Sequence, residues 1–364
     1  MSLVPDYIKN LSPYKAGKPI SEVQREFGLK SVIKLASNEN PLGPSQKTIE
    51  AIKRSLVDIA LYPDPNGFYL REKLSDMFNL KIDNVVLGAG SEGIMATIMR
   101  TFLNTDDRIL ATENSFIGFR VLANASGKEV DWVPMKKYKY DLNAMAHKIN
   151  KKTKIIYLAN PDNPTGSYFN KKEFDDFMNK VPSRALVILD EAYYEYAACL
   201  DDYPDSMFYR YDNVITLRTF SKAYALAGLR VGYGFAHENL ISNLMKVKLP
   251  FEPSVPAQAA AIIALDDIAH LDETLNENKN QMIRIQNEFN MRSLPYISSS
   301  ANFITLVFEN EIQAERFVGD FLKKGVILRH LNSFGLPECV RVTIGKDSEM
   351  RQFINKLDSV LEHI

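Results

Sequence analysis

From about residue 45 to residue 265, short apolar runs alternate with longer amphipathic segments. The runs NVVLG (84–88), RILAT (108–112), EVDWV (129–133), KIIYLA (154–159), ALVILD (185–190), VITL (214–217) and VGYGF (231–235) read as strands. Most are continuous in Val, Ile and Leu rather than strictly alternating, which suits strands covered on both faces. Helical patterns such as GIMATIMRTFL (93–103) and KKEFDDFMNK (171–180) lie between them. Strand and helix in alternation predict an α/β fold built on a mainly parallel seven-stranded sheet between helices. Beyond it, ETLNENKNQMIRIQNEFN (273–290) reads as one long polar-faced helix. FITLVF (303–308), a helix near 311–324, GVILRHL (325–331), CVRVTIG (339–345) and a final helix follow. That order predicts a second, smaller α+β domain beginning near residue 268.

Composition changes this picture little. At 364 residues the chain is long enough for one large and one smaller core. A formal net charge of −1 supplies no global attraction to nucleic acid or to an anionic membrane surface. No run of about 18 apolar residues exists to span a bilayer, and MSLVPDYIKN does not read as a secretory signal. The two cysteines, Cys199 and Cys339, form neither a disulfide framework nor a metal-ligand spacing. A cytoplasmic enzyme without a metal is the expectation.

Two sets of residues carry chemistry. VVLGAGSEG holds Gly88, Gly90 and Gly93 in G-x-G-x-x-G spacing between a strand and a helix, with Glu113 about 20 residues on. Alone this satisfies a dinucleotide fingerprint and would permit a nicotinamide-dependent dehydrogenase. Its physics is more general: glycines allow close backbone approach, and a helix N-terminus favours any phosphate. The second set lies at strand ends. ALVILDEAYYEY ends a buried strand in Asp190, with Tyr193 three residues later. LANPDNPTG places Asn160 and Asn163 at the same sheet edge, and TFSK places Lys222 there.

An acid, an amide, a phenol and a lysine meeting at one edge match the needs of pyridoxal 5'-phosphate. That cofactor requires an amine for a Schiff base, and burial favours the neutral, nucleophilic lysine. It requires a carboxylate at its pyridine nitrogen and donors to its ring oxygen. Its phosphate requires a helix N-terminus, hydroxyls and an arginine.

Nearly the whole chain resembles the fold-type I pyridoxal-phosphate aminotransferases, and within them the histidinol-phosphate aminotransferases. KLASNENPLGPS (34–45), YPDPNGFYLREKLS (62–75), NPDNPTG (160–166), LDEAYYEY (189–196), TFSKAYALAGLRVGYG (219–234) and VRVTIG (340–345) are similar to that family's blocks, in its order. The resemblance implies an N-terminal arm (1–40) contributing to the active site, a large cofactor-binding domain (41–268) and a small C-terminal domain (269–364). It implies that Lys222 binds the cofactor and carries the proton, that Asp190 pairs with the ring nitrogen, and that Tyr193 and Asn163 hold the ring oxygen. Ser91 and Glu92, through backbone N–H groups, would join Thr219, Ser221 and Arg230 around the phosphate. Phe116 would stack on the ring, and Tyr62 would reach the neighbouring subunit's phosphate site in a homodimer. Arg341, Arg329, Tyr14 and Asn38 would bind substrate.

The implied reaction interconverts histidinol phosphate and 2-oxoglutarate with imidazole acetol phosphate and glutamate, a step of histidine biosynthesis. The chain departs from the family where His330 follows Arg329 in place of a usual proline, and where NSFGLP (332–337) varies the usual turn. An aromatic amino acid aminotransferase and an amino acid phosphate decarboxylase share the same cofactor set and stand as alternatives.

Overall fold

The computed structural model describes residues 3–11, 17–206 and 211–364. A two-residue strand, Ile33–Lys34 (β1), comes first. The predicted strands follow as Val85–Gly88 (β2), Arg108–Thr112 (β3), Glu129–Val133 (β4), Thr153–Ala159 (β5), Leu186–Asp190 (β6), Val214–Thr219 (β7) and Gly232–Phe235 (β8). They form one seven-stranded sheet in the order β2-β8-β7-β6-β5-β3-β4. β8 runs antiparallel to both neighbours, and the remaining pairs are parallel.

Apolar continuity in the sequence has its cause here. Alternate residues of β5 supply opposite cores: Ile155, Tyr157 and Ala159 pack with Ile94, Ile98 and Ile188. Ile156 and Leu158 pack with Leu110, Phe174 and Val187. Each such fully buried aliphatic side chain contributes about 1.5–3 kcal/mol relative to exposure. A polar residue ending such a strand is therefore held in place by the apolar residues before it.

Register brings four strand ends to one edge. Ala159 lies beside Asp190, and Asp190 beside Leu217. Thr219 pairs with Gly232, which pairs in turn with Gly88. Glycine is needed at 232 because a Cβ there would stand 2.5 Å from the backbone nitrogen of Ser91. The strand can then press directly on the start of the helix Gly90–Phe102.

After the sheet, one 24-residue helix, Ile268–Met291, leads to Tyr296–Ile297 (β9), Phe303–Val307 (β10), Val326–Ile327 (β11), Arg329–His330 (β12) and Cys339–Thr343 (β13). β9, β10, β12 and β13 form an antiparallel sheet of four strands. GVILRHL, expected as one strand, divides. Its first half pairs in parallel with β1, whereas Arg329 and His330 turn to β13. Serving two sheets, the segment breaks at Leu328. One core cluster joins Ile285, Phe289, Phe317, Phe321, Phe353 and Leu357 with Ile33 and Leu35, so the N-terminal strand packs with the C-terminal third.

Candidate active site

The strand ends enclose a cavity of about 150 Å³ lined by Lys222, Asp190, Tyr193, Asn163, Phe116 and Arg230, with Ser91, Glu92, Thr219 and Ser221 along one wall. Ten of the residues singled out in the sequence thus meet in one place.

Asp190 is buried at the end of β6. Burying an ionised carboxylate costs several kcal/mol, and this burial pushes its pKa up to about 6. Two donors offset part of that cost: the Tyr157 hydroxyl donates to Oδ2 at 2.8 Å, and the Ala192 N–H to Oδ1 at 3.2 Å. Tyr157 is itself fixed by stacking on Phe119, ring centroids 3.9 Å apart. The sequence reading missed Tyr157, although a lone phenol inside the apolar run KIIYLA is a signal, since a buried hydroxyl needs a partner.

Lys222 donates from Nζ to the carbonyl of Ser37 at 3.3 Å. Its pKa falls from 10.5 to about 8, first because burial penalises the charged form, then because the positive charges of Arg341 and Arg230 oppose a third. Glu39 and Asp190 pull the other way and are outweighed. The amine is thereby poised to be nucleophilic near neutral pH.

Tyr193 accepts a hydrogen bond from Asn38 Nδ2 at 2.8 Å, and burial pushes its phenol up to about 12. Asn38 adopts φ 55° and also joins Thr343: its N–H donates to Oγ1 at 2.9 Å, and its Oδ1 accepts from the same hydroxyl at 3.0 Å. Its side chain is thus occupied in holding Tyr193. Arg341 donates through Nη1 to Asn163 Oδ1 and through Nη2 to the Ala36 carbonyl at 2.8 Å. With its oxygen occupied, the Asn163 amide keeps its NH₂ group as the donor it can offer a ligand.

The far wall suits an anion. The helix Gly90–Phe102 has no side chain capping its N-terminus, so its first N–H groups are available to a ligand. The Thr219 and Ser221 hydroxyls, 3.0 Å apart, stand next to it. Arg230, held in the left-handed region at φ 52°, places a guanidinium 3.9 Å from the Glu92 carboxylate. Non-glycine residues at such dihedrals concentrate at functional sites. The Phe116 ring reaches the cavity because Gly118 has no side chain. A Cβ there would meet the ring's Cζ, and would stand 2.6 Å from Cε1.

Arg329 and Arg341 are direct cross-strand partners on β12 and β13, so both side chains leave the same face of the sheet. One expected residue lies elsewhere and another is not described. Tyr62 is 79% exposed and stacked on Phe251, ring centroids 4.3 Å apart. Tyr14 falls outside the described residues. Behind the site, and unforeseen as a pair, Arg218 and Glu191 form a fully buried ion pair at 2.8 Å. Tyr194 lies under the guanidinium, 3.3 Å from its carbon to the ring centroid.

A mainly parallel sheet whose strand ends gather a buried carboxyl, a buried lysine of lowered pKa and a helix N-terminus suits a class of group-transfer enzymes. The match is specific: residues 30–357 fit the family model of class I and II aminotransferases, and the chain belongs to that family. Among its relatives, it is 41% identical to a histidinol-phosphate aminotransferase of Caldicellulosiruptor saccharolyticus over 98% of this chain and 99% of that one. It is 39% identical to histidinol-phosphate aminotransferase 2 of Carboxydothermus hydrogenoformans, over 98% of each. In three dimensions it is similar to the histidinol-phosphate aminotransferase of Sinorhizobium meliloti solved in complex with pyridoxal-5'-phosphate. That similarity has a TM-score of 0.91 at 27% identity, covering 100% of this chain and 98% of that one.

Proposed function

We propose that this aminotransferase uses pyridoxal 5'-phosphate to interconvert histidinol phosphate and 2-oxoglutarate with imidazole acetol phosphate and glutamate, a step of histidine biosynthesis. The observation that carries the reading is the cross-strand pair Arg329 and Arg341, of which Arg341 is hydrogen-bonded to Asn163 in the wall of the lysine cavity. Guanidinium forks suit a phosphate dianion or a carboxylate. Relatives about 40% identical over nearly the full chain bear the corresponding name.

The residues present fit the cofactor. An uncapped helix N-terminus, two hydroxyls and Arg230 suit its phosphate, and the buried Asp190 carboxyl suits its ring nitrogen. Tyr193 and the amide of Asn163 would hold the ring oxygen, and Phe116 would cover one ring face. When bound, the cofactor supplies an electrophilic carbonyl for amines and a ring that takes up the electron pair of a broken substrate carbon–hydrogen bond. The protein supplies the rest. Lys222 Nζ would hold the cofactor through its carbonyl and, as a free amine, would carry the proton removed from the substrate carbon. Asp190 would favour a positive charge on the ring nitrogen, and Tyr157 keeps Asp190 oriented. Arg341, braced by Asn163 and Ala36, would hold the carboxylate of glutamate or 2-oxoglutarate.

Tyr62 is exposed and does not line its own chain's cavity, in keeping with a role at the phosphate site of a second copy. We take the working enzyme to be a homodimer of the cytoplasm with shared sites.

The test is a single-turnover spectrum of holoenzyme mixed with L-histidinol phosphate, with L-phenylalanine in parallel. Rapid loss of the lysine-bound cofactor's visible band with the phosphate ester, and slow loss with phenylalanine, is the expected result. The reverse would move the enzyme to aromatic substrates. Release of carbon dioxide from a phosphothreonine-like substrate would make it a decarboxylase.

A further inference from the structure

Two guanidinium groups side by side repel each other, so something must fix the spacing of Arg329 and Arg341. A single ring is close to both. The guanidinium carbon of Arg329 stands 5.7 Å from the centroid of Phe334, and that of Arg341 stands 5.9 Å from the same centroid. Each cation is therefore within reach of the ring's negative face. Phe334 belongs to NSFGLP, the turn that departs from the family and to which no role has yet been given.

The turn is tightly specified. Phe334 N–H donates to Leu331 O at 2.9 Å, and Gly335 N–H to Asn332 O at 2.8 Å. Ser333 Oγ lies 3.3 Å from an Arg329 nitrogen. The turn is also tied across the molecule: Asn114 Nδ2 donates to the carbonyls of Phe334 and Gly335, each at 3.0 Å. Gly335 has φ 75°, and a Cβ there would stand 2.8 Å from Asn114 Nδ2, so this approach requires glycine twice over. Asn114 follows β3 by two residues and precedes Phe116 by two. Its neighbour Ser115 donates to the buried Asp162, next to the Asn163 that braces Arg341.

We propose that Phe334 is a specificity-determining residue that steadies the two arginines for a phosphate monoester, and that Asn114 is the positioning residue that ties Phe334 to the segment entering the cofactor cavity through Phe116. The inference rests on the phosphate-ester reading of the site above. It assigns Asn114 a role in affinity for the ester and none in the proton transfers at Lys222.

The experiment compares holoenzymes of the wild type, Asn114→Ala, Asn114→Asp, Phe334→Leu and Phe334→Tyr. KM and kcat are measured for L-histidinol phosphate and for L-histidinol, which lacks the phosphate. Asn114→Ala and Phe334→Leu should raise KM for the ester about tenfold, the scale of losing one oriented cation–ring contact. Their kcat should stay within about twofold, and their kinetics with histidinol and their cofactor absorbance should be unchanged. Phe334→Tyr keeps the ring and should retain the wild-type KM. Asn114→Asp has the same shape but sets an acceptor against two carbonyl oxygens, and should raise KM more than alanine does. An ester KM unchanged in all four variants would overturn the inference. So would equal losses for both substrates with a weakened cofactor band, which mark a structural role alone. A wild-type enzyme that ignores the ester would instead overturn the reading beneath it, a result visible before any variant is made.

Discussion

At the scale of single residues, the chemistry proposed for Lys222 depends on an amine that sheds its proton more readily than lysine does in water. Burial lowers the pKa of Lys222 to about 8, assisted by the charges of Arg341 and Arg230. Relative to an ordinary lysine, the neutral share at pH 7 is larger by roughly three-hundredfold. The sign has a direct consequence. Below about 8 the protonated amine predominates, and above it the neutral amine that is free to attack. The rate at which cofactor-stripped protein captures pyridoxal phosphate, followed by its visible band, should therefore rise with pH through a midpoint near 8. Arg341→Gln removes the second largest cause of the shift. It should move the midpoint upward and slow capture several-fold at pH 7. A capture rate flat from pH 6 to 9, or a midpoint indifferent to Arg341, would contradict this account. Lys222→Ala should still hold the cofactor through its phosphate but show neither the lysine-bound band nor turnover.

At the scale of elements, the site is a consequence of register. Four strand ends reach one edge because Ala159, Asp190 and Leu217 lie side by side, as do Thr219, Gly232 and Gly88. Glycines then admit what must come close. Replacing an interior helical glycine by alanine ordinarily stabilises a helix by up to about 1 kcal/mol, and Gly319→Ala, with nothing within 4 Å of its new Cβ, should do so. Gly118→Ala sits in the helix Ile117–Ala125, where the same methyl drives into the Phe116 ring. It should weaken cofactor binding about tenfold while thermal unfolding shifts by only a few degrees. Equal behaviour of the two substitutions in cofactor titrations would show that Phe116 does not depend on that space. The strands were legible in the sequence because an apolar run is a local property, and Asp190 because it stands where such a run stops. The contacts of Tyr157 with Asp190 and of Asn114 with Phe334 were not legible. They join segments 33 and 220 residues apart, and only strand order and register bring them together. GVILRHL was misread as one strand for the same reason, since nothing local says that its halves serve different sheets.

At the scale of the whole molecule, large apolar side chains stand exposed in one stretch of the chain. Val57, Ile59, Leu61, Tyr62 and Tyr69 are each more than 60% exposed, and Tyr62 stacks on the half-covered Phe251. Contiguous exposed apolar surface of this kind marks a contact with another chain. A two-fold dimer is the simplest closed assembly that would cover it. If Tyr62 serves the partner's phosphate site, an active centre needs Lys222 from one copy and Tyr62 from the other. Tyr62→Ala and Lys222→Ala enzymes should each be crippled alone, the first through weak cofactor binding and the second through lost turnover. Co-refolded in equal amounts, they form mixed dimers in which one site carries both substitutions and the other carries neither. Activity should then recover to about a quarter of wild type, because half of the dimers are mixed and each holds one intact site of two. Sites confined to single chains predict no recovery at all, since every chain carries a defect. Sedimentation of the same mixture separates the cases: recovery without dimers, or dimers without recovery, would each sink the shared-site arrangement.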